Sequence, residues 1–235
     1  MTKVIFYTFI IQILLSASIM HAEYHSQWGQ DKFVNEQFFF NYRNGVFVDI
    51  GANDGVSFSN SLFFEEELGW QGICVEPLPH VFEKLKQRRR CICVQGCVAD
   101  KMKSAKFLQI TSGPEMLSGL LFNYHPAHIK RIEEELRRSG GKASIIDVPC
   151  FLFNDLMKRY GFKHVNFLSI DTEGNEFEIL STIDYESFQI DVITVEDNYN
   201  DIRMPQFLEK KNFYFLKKQG EDLIFVNNKF KEKAP

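Results

Sequence analysis

From Gly45 onward, short runs of apolar and β-branched residues alternate with stretches of helical periodicity, and this alternation constrains the fold more than any other feature. The runs at 46–50, 72–76, 91–98, 165–170 and 190–196 are nearly continuously apolar, as strands covered on both faces are. Between them, 61–68 stops at Gly69, 81–90 carries Val81, Phe82 and Leu85 on one stripe, and 173–180 follows an acidic turn; each is predicted to be a helix. A further helix at 204–211 and two closing strands at 213–216 and 223–226, around Gly220, complete the series. Strands separated by helices need crossover connections and so build a parallel sheet. The chain is predicted to be an α/β protein with an open, doubly wound sheet.

Two segments depart from the alternation. Residues 101–149 contain a short strand (106–110), a Gly113-Pro114 loop, an amphipathic helix (127–138) and a Gly140-Gly141 hinge, and are expected to form a lid or binding loop. Residues 1–22 begin with Lys3, continue through an apolar run from Val4 to Leu15 and end near Ser16-Ala17-Ser18, the layout of a signal peptide. Extended through Met20, the run is instead a signal anchor that would associate with a membrane through residues 4–20. Either reading leaves one domain, 23–235, that is exported or anchored, whereas a cofactor made in the cytosol would favour the cytoplasm.

Composition adds less. The 24 phenylalanines dominate an aromatic content of 14%, which demands a Phe-rich core. With 27 basic and 31 acidic residues, a net charge of -4 gives no general attraction to nucleic acid. The five cysteines are expected to be buried thiols, because Cys91, Cys93 and Cys97 lie in an apolar run without C-x-x-C spacing. The basic run from Lys84 to Arg90 is expected to be a solvated helix end, and His125 and His128 to be surface residues of the lid. The run Phe38-Phe39-Phe40 is expected to pack an N-terminal element on the sheet.

In an open α/β sheet, ligands bind beyond the carboxyl ends of the strands, and here those ends are acidic. The first runs FVDIGANDG, with Asp49, Gly51 and Gly55; the second ends at Glu76 in CVEP. The fourth ends in SIDTEGNEFEIL, with Asp171, Glu173 and Glu176, and the fifth in TVEDN, with Glu196 and Asp197. Gly51 and Gly55 allow close approach of a ligand, and Glu76 is placed to accept hydrogen bonds from two ribose hydroxyls. Asn53 and Val56 stand where a dinucleotide fingerprint has its second and third glycines, so a pyrophosphate is not expected. Asp54 repels phosphate and suits a cationic ligand such as the sulfonium and ammonium of S-adenosylmethionine.

The segments FVDIGANDG, CVEP, IDVPC and FLSIDTEGNEFEIL, preceded by SQWGQDKFV at 26–34, resemble the FkbM family of S-adenosylmethionine-dependent methyltransferases over about 26–226. The resemblance implies a class I methyltransferase (Rossmann-like) fold of seven strands, the last antiparallel. It also implies methyl transfer to a hydroxyl, on a sugar, glycan, glycolipid or other small acceptor. Carried over by motif, Asp49, Gly51, Asn53 and Gly55 hold the methionine part of the cofactor, Glu76 its ribose, and Asp100 lies near its adenine. The departure is Asp197, where the family leads one to expect His. Asp171 and Glu173 are the candidate catalytic base; a divalent cation on Asp171, Glu173, Glu196 and Asn198 is the less favoured reading of the same cluster. The contrasting function is a non-catalytic exported or membrane-tethered binding or trafficking protein that keeps the fold.

Overall fold

The computed structural model describes residues 23–100, 103–122 and 124–231, and the leader read at 1–22 lies outside them. Among the described residues no helix is long and apolar enough to cross a membrane. Helix α1 (Gln30–Val34) and a π-helical turn (Asn35–Phe39) precede β1 (Val46–Ile50), α2 (Leu62–Glu66), β2 (Gln71–Glu76), α3 (Pro79–Arg88) and β3 (Ile92–Gln95). A second group follows: β4 (Cys97–Val98), β5 (Lys103–Thr111), β6 (Gly119–Leu120), α4 (Pro126–Ser139) and β7 (Lys142–Phe151). The last elements are α5 (Phe153–Tyr160), β8 (His164–Ile170), α6 (Glu176–Thr182), β9 (Gln189–Glu196), α7 (Arg203–Lys210), β10 (Phe213–Gln219), β11 (Asp222–Asn227) and α8 (Asn228–Lys231).

The main sheet has seven strands in the order β10-β11-β9-β8-β1-β2-β3. Strand β11 is antiparallel to both neighbours, and every other pair is parallel. This is the doubly wound sheet with an antiparallel last strand that the sequence implies. Strand order reverses between β1 and β8, so the crevice expected in such sheets falls beyond their carboxyl ends. The period of two decides which residue enters which core. On β1, Val48 and Ile50 join the cluster under α5, α6 and α7, whereas Phe47 joins the cluster under α2 and α3. The same split recurs on β8, with Leu168 and Ile170 on one face and Phe167 on the other. Phe47, Phe63, Phe64, Phe153, Phe167, Phe213 and Phe225 are fully buried, which accounts for much of the aromatic excess. Of the run at 38–40 Phe39 is buried, edge-on to Trp70 with centroids 4.8 Å apart, whereas Phe40 is exposed.

Two expectations change. The strand read at 91–98 breaks at Gly96, where φ is 147° and an added Cβ would lie 2.6 Å from the Pro149 carbonyl oxygen. Beyond that break β4 enters a second, four-stranded sheet in the order β4-β7-β5-β6. The segment read as a lid with one short strand, at 106–110, and one helix is therefore built on a long hairpin-like pair, β5 with β7, running from Lys103↔Cys150 to Thr111↔Lys142. Strand β5 is longer than the 106–110 expected, and β7 has no counterpart in the sequence pattern because many of its residues, among them Ser144, Ile145 and Asp147, face solvent. Helix α5 was missed as well; Phe153, Leu156 and Met157 form its buried stripe and Gly161 closes it at φ 78°. The five cysteines are free thiols, of which Cys74, Cys97 and Cys150 are buried as expected while Cys91 and Cys93 are half-buried, and Cys97 pairs in register with Cys150 in the second sheet.

One contact joins the two halves of the main sheet at the crevice. The Asp171 amide donates to the Ile50 carbonyl at 2.9 Å, and a Cβ on Gly51, at φ 89°, would lie 1.7 Å from the Asp171 carbonyl oxygen. Substitution Gly51→Ala is expected to destabilise the protein by about 3 kcal/mol, from a forbidden φ and an overlap that only backbone movement relieves. Gly140→Ala, with φ 69° but nothing within 4 Å, should cost only about 1 kcal/mol. Urea denaturation of the two variants checks the ranking.

Candidate active site

A cleft with an empty volume of about 720 Å³ opens beyond the ends of β1, β2 and β8. Gly51, Asn53, Glu76 and Asp171 line it from the main sheet, and Phe107, Met116, Ser118 and Leu120 from the second sheet and its connections. Leu78, Val81 and Val98 supply apolar walls, and none of the described lining residues is Lys, Arg or His. Glu76 is buried, and burial pushes its pKa up to about 7. Its Oε2 accepts from the Asn53 amide at 3.0 Å and its Oε1 from the Leu78 amide at 2.8 Å. Those amides fix the carboxylate while each oxygen keeps a lone pair for a hydroxyl donor.

Asp49 sits one layer deeper, where its Oδ2 accepts from Ser61 Oγ at 2.5 Å. Burial raises its pKa, opposed by Ser61 and by the nearby Arg89. Arg89 corrects the expectation of a solvated helix end: its side chain is buried, and its Nε donates to Glu65 at 2.5 Å. Its other nitrogens donate to the Gly55 carbonyl, Ser59 and Ser61 at 3.0 to 3.2 Å. Gly55 accordingly packs on Arg89 and Leu85, where a Cβ would lie within 2.7 Å of both side chains. Asp54 accepts from the Val56 and Ser57 amides and faces Arg88 at 3.3 Å, so its charge is engaged within the turn. Asp100 is exposed on the loop after β4, and Gly96, Cys97 and Val98 line the cleft on that side.

The turn after β8 is organised by Glu176. Its Oε1 accepts from the Thr172 amide (2.9 Å), Thr172 Oγ1 (2.8 Å) and the Gly174 amide (3.0 Å). Wrapped around that carboxylate, Glu173 takes φ 59° and Gly174 φ 122°. Glu173 thereby borders two cavities: the cleft above, and a second one of about 950 Å³ empty volume lined also by Glu196, Asp197, Asn198, Tyr199 and Arg203. Arg203 is held by Asp201 and Glu178 and lies 4.2 Å from the centroid of the Phe177 ring. Asp197 serves its own loop, accepting from the Asp201 amide at 2.7 Å.

One oxygen from each of Asp171, Glu173 and Glu196 lies within 4.8 Å of the others. Burial, then the charges of Glu173, Asp222 and Glu176, raise the Asp171 pKa well above the carboxylate range. Glu196 is raised by the same causes, with Asp171 its nearest opponent, and burial pushes Glu173 up to about 8. His128 also departs from expectation. It is fully buried, with Nε2 3.2 Å from the Leu117 carbonyl, Nδ1 3.0 Å from the Tyr199 hydroxyl and Nδ1 3.4 Å from Glu173 Oε2. His125 caps α4 and stacks on Tyr199, with centroids 4.5 Å apart.

Of the residues named from sequence, the structure gathers Gly51, Asn53, Glu76, Asp171 and Glu173 around the cleft and sets Asp49 beneath it, bordering a smaller cavity with Asp171. Gly55 and Asp100 stand outside. Sequence reading missed Arg89, Tyr199, Gln30 and Asp222. Gln30 donates to Asp222 at 2.9 Å, and Asp222 faces Glu196 in the β11–β9 register. The signal for Gln30 lay in the SQWGQD segment, whose Asp31 accepts from Ser26 and the His25 amide.

A seven-stranded sheet with its last strand inserted antiparallel, and a cleft walled by strand-end acids, define a Rossmann-like methyltransferase. The family model described as "Methyltransferase FkbM domain" matches residues 49–217, from Asp49 on β1 to Lys217 on β10. The chain belongs to the FkbM methyltransferase family. No curated protein matches it.

The buried acids set the pH dependence of stability. Their folded pKa values are raised, so between about pH 4.5 and pH 8 the folded protein retains protons that the unfolded chain has released. Stability therefore falls as pH rises through that window. In EDTA, Glu196→Gln is expected to flatten the fall and to leave the variant more stable than the parent at pH 8, because burial and the neighbouring acids hold the Glu196 carboxyl well above the usual carboxylate range. Thermal unfolding at pH 5 and pH 8 measures both.

Proposed function

We propose that the protein transfers a methyl group from S-adenosylmethionine, held in the cleft, to a hydroxyl of a sugar, glycan or glycolipid seated in the second cavity. The observation that carries this reading is that Glu173 borders both cavities. The residues present fit the cofactor. Glu76, fixed by two amides, offers acceptors to a ribose diol. Leu78, Val81, Phe107 and Leu120 offer an apolar wall to a base. A lining that, among the described residues, has carboxylates and no basic side chain suits a cationic sulfonium and opposes a pyrophosphate.

When bound, S-adenosylmethionine supplies an electrophilic methyl group, which the acceptor oxygen takes as its proton departs. The chain's own residues must align the acceptor and receive that proton. Glu173 stands at the boundary, with Asp171 beside it, and either carboxylate is within reach of a hydroxyl that enters from the second cavity. Burial makes both stronger bases than a solvated carboxylate. Carboxylates with the rings of Tyr199 and Phe177 give that cavity the acceptors and apolar faces a polyhydroxylated ligand needs.

Isothermal titration of the full chain with S-adenosylmethionine is expected to give one site, weakened at least about tenfold by Glu76→Ala, a loss of about 1.4 kcal/mol. Glu173→Gln should keep that affinity and lose methyl transfer to a glycan fraction by roughly a hundredfold, followed with a labelled methyl group. Absence of cofactor binding by the folded parent would overturn the proposal.

A further inference from the structure

We infer that Asp171, Glu173 and Glu196 together hold a hard divalent cation, Mg²⁺ or Mn²⁺, at the boundary between the two cavities. For its chemical purpose this rests on the methyl-transfer reading; for binding it rests on the side chains alone. The three come from the ends of adjacent parallel strands, β8 and β9, and each offers one oxygen to a group spanning no more than 4.8 Å. Ligand oxygens around such a cation stand roughly 3 to 4 Å apart, given bonds of about 2.1 Å.

Charge balance points the same way. Asp171 and Glu196 lie within hydrogen-bond reach of each other in a half-buried place, with Glu176 and Asp222 adding negative charge. Two carboxylates cannot hydrogen-bond without a proton between them, and a cation removes that need. Among the described residues, two basic groups face the cluster: Arg131 acts on Glu173 and offsets part of its charge, and Lys218 acts on the neighbouring Asp222.

An independent observation comes from Glu173. Its Oε2 is buried and has no hydrogen-bond donor. His128 Nδ1 is 3.4 Å away, but His128 Nε2 faces the Leu117 carbonyl at 3.2 Å and must carry the ring proton there. In the neutral ring Nδ1 then bears a lone pair, which accepts from the Tyr199 hydroxyl at 3.0 Å and offers Glu173 nothing. Once Glu173 has lost its proton, its Oε2 is a buried acceptor beside another acceptor, and that is a position for a cation. Three protein oxygens leave coordination positions for water and for the acceptor hydroxyl, whose pKa the cation lowers. The oxygen of Glu173 that does not ligate remains free to take the proton.

The test is a titration of the full chain with Mn²⁺ alone, in the absence of cofactor, followed by electron paramagnetic resonance. One saturable site per chain is expected, with Kd below about 1 mM and displacement by Mg²⁺. The double variant Asp171→Asn/Glu196→Gln should weaken it at least about tenfold, while Asp147→Asn, an exposed acid paired with Lys106, should leave it unchanged. If the double variant does not fold, Glu173→Gln alone is expected to weaken binding by a similar factor. Failure of the parent to bind Mn²⁺ saturably, or equal binding by the parent and a folded cluster variant, overturns the inference. A parallel titration with S-adenosylmethionine in EDTA separates the two readings. Cofactor binding without Mn²⁺ binding removes the cation only, and Mn²⁺ binding without cofactor binding leaves the site and removes the methyl-transfer reading.

Discussion

The structure depends on the close approach of β1 and β8, where Gly51 lies against the Asp171 carbonyl with no room for a Cβ. The two strands are neighbours in the sheet but belong to different halves of the chain, and the halves diverge beyond this contact. Divergence opens the cleft, and the contact decides what lies at its base. Asn53 and Gly51 come from one side, Asp171 and Glu173 from the other. Because the glycine admits the Asp171 carbonyl, the Asp171 side chain is held next to Glu196 on β9 rather than carried away from it. The site is therefore a consequence of a steric allowance at one residue.

The acids of this region divide by how their oxygens are satisfied, and that division separates those the chain fixes in place from those that face one another. Glu176 is surrounded by three donors of its own turn, Glu76 by two backbone amides, and Asp49 by Ser61 with Arg89 nearby. Each of these is held in one place by the chain that surrounds it. Asp171, Glu173 and Glu196 instead are half-buried and face one another, and the folded state bears the cost of holding them together. Groups kept in so unfavourable a state concentrate at functional sites. That inequality locates the chemistry more sharply than the count of acids does.

Much of the fold was legible in the sequence, because strands covered on both faces leave continuous apolar runs and their helices leave a stripe. The β1, β2, β8 and β9 runs were readable for that reason, and the acids at their ends marked the crevice. Elements facing solvent carried no such pattern. Strands β5 and β7 pair along their length but expose many side chains, so only the 106–110 part of β5 was legible and β7 was not, and the break at Gly96 was invisible inside an apolar run. Side chains whose partners lie far along the chain were hidden as well. Arg89 belongs to a basic run that looks solvated, yet its partner Glu65 is 24 positions away. His128 looked like a surface residue until α4 was seen folded over the turn at Leu117 and the loop at Tyr199.

The central claim is that the cleft beyond β1, β2 and β8 holds a nucleoside whose reactive end faces Glu173. A crystal structure of the full chain with S-adenosylhomocysteine tests it most directly. The account predicts the ribose hydroxyls on Glu76, the base among Leu78, Val81 and Phe107, and the sulfur toward Glu173 and the second cavity. A nucleoside bound elsewhere, or one placed here with its sulfur turned away from Glu173, would contradict it.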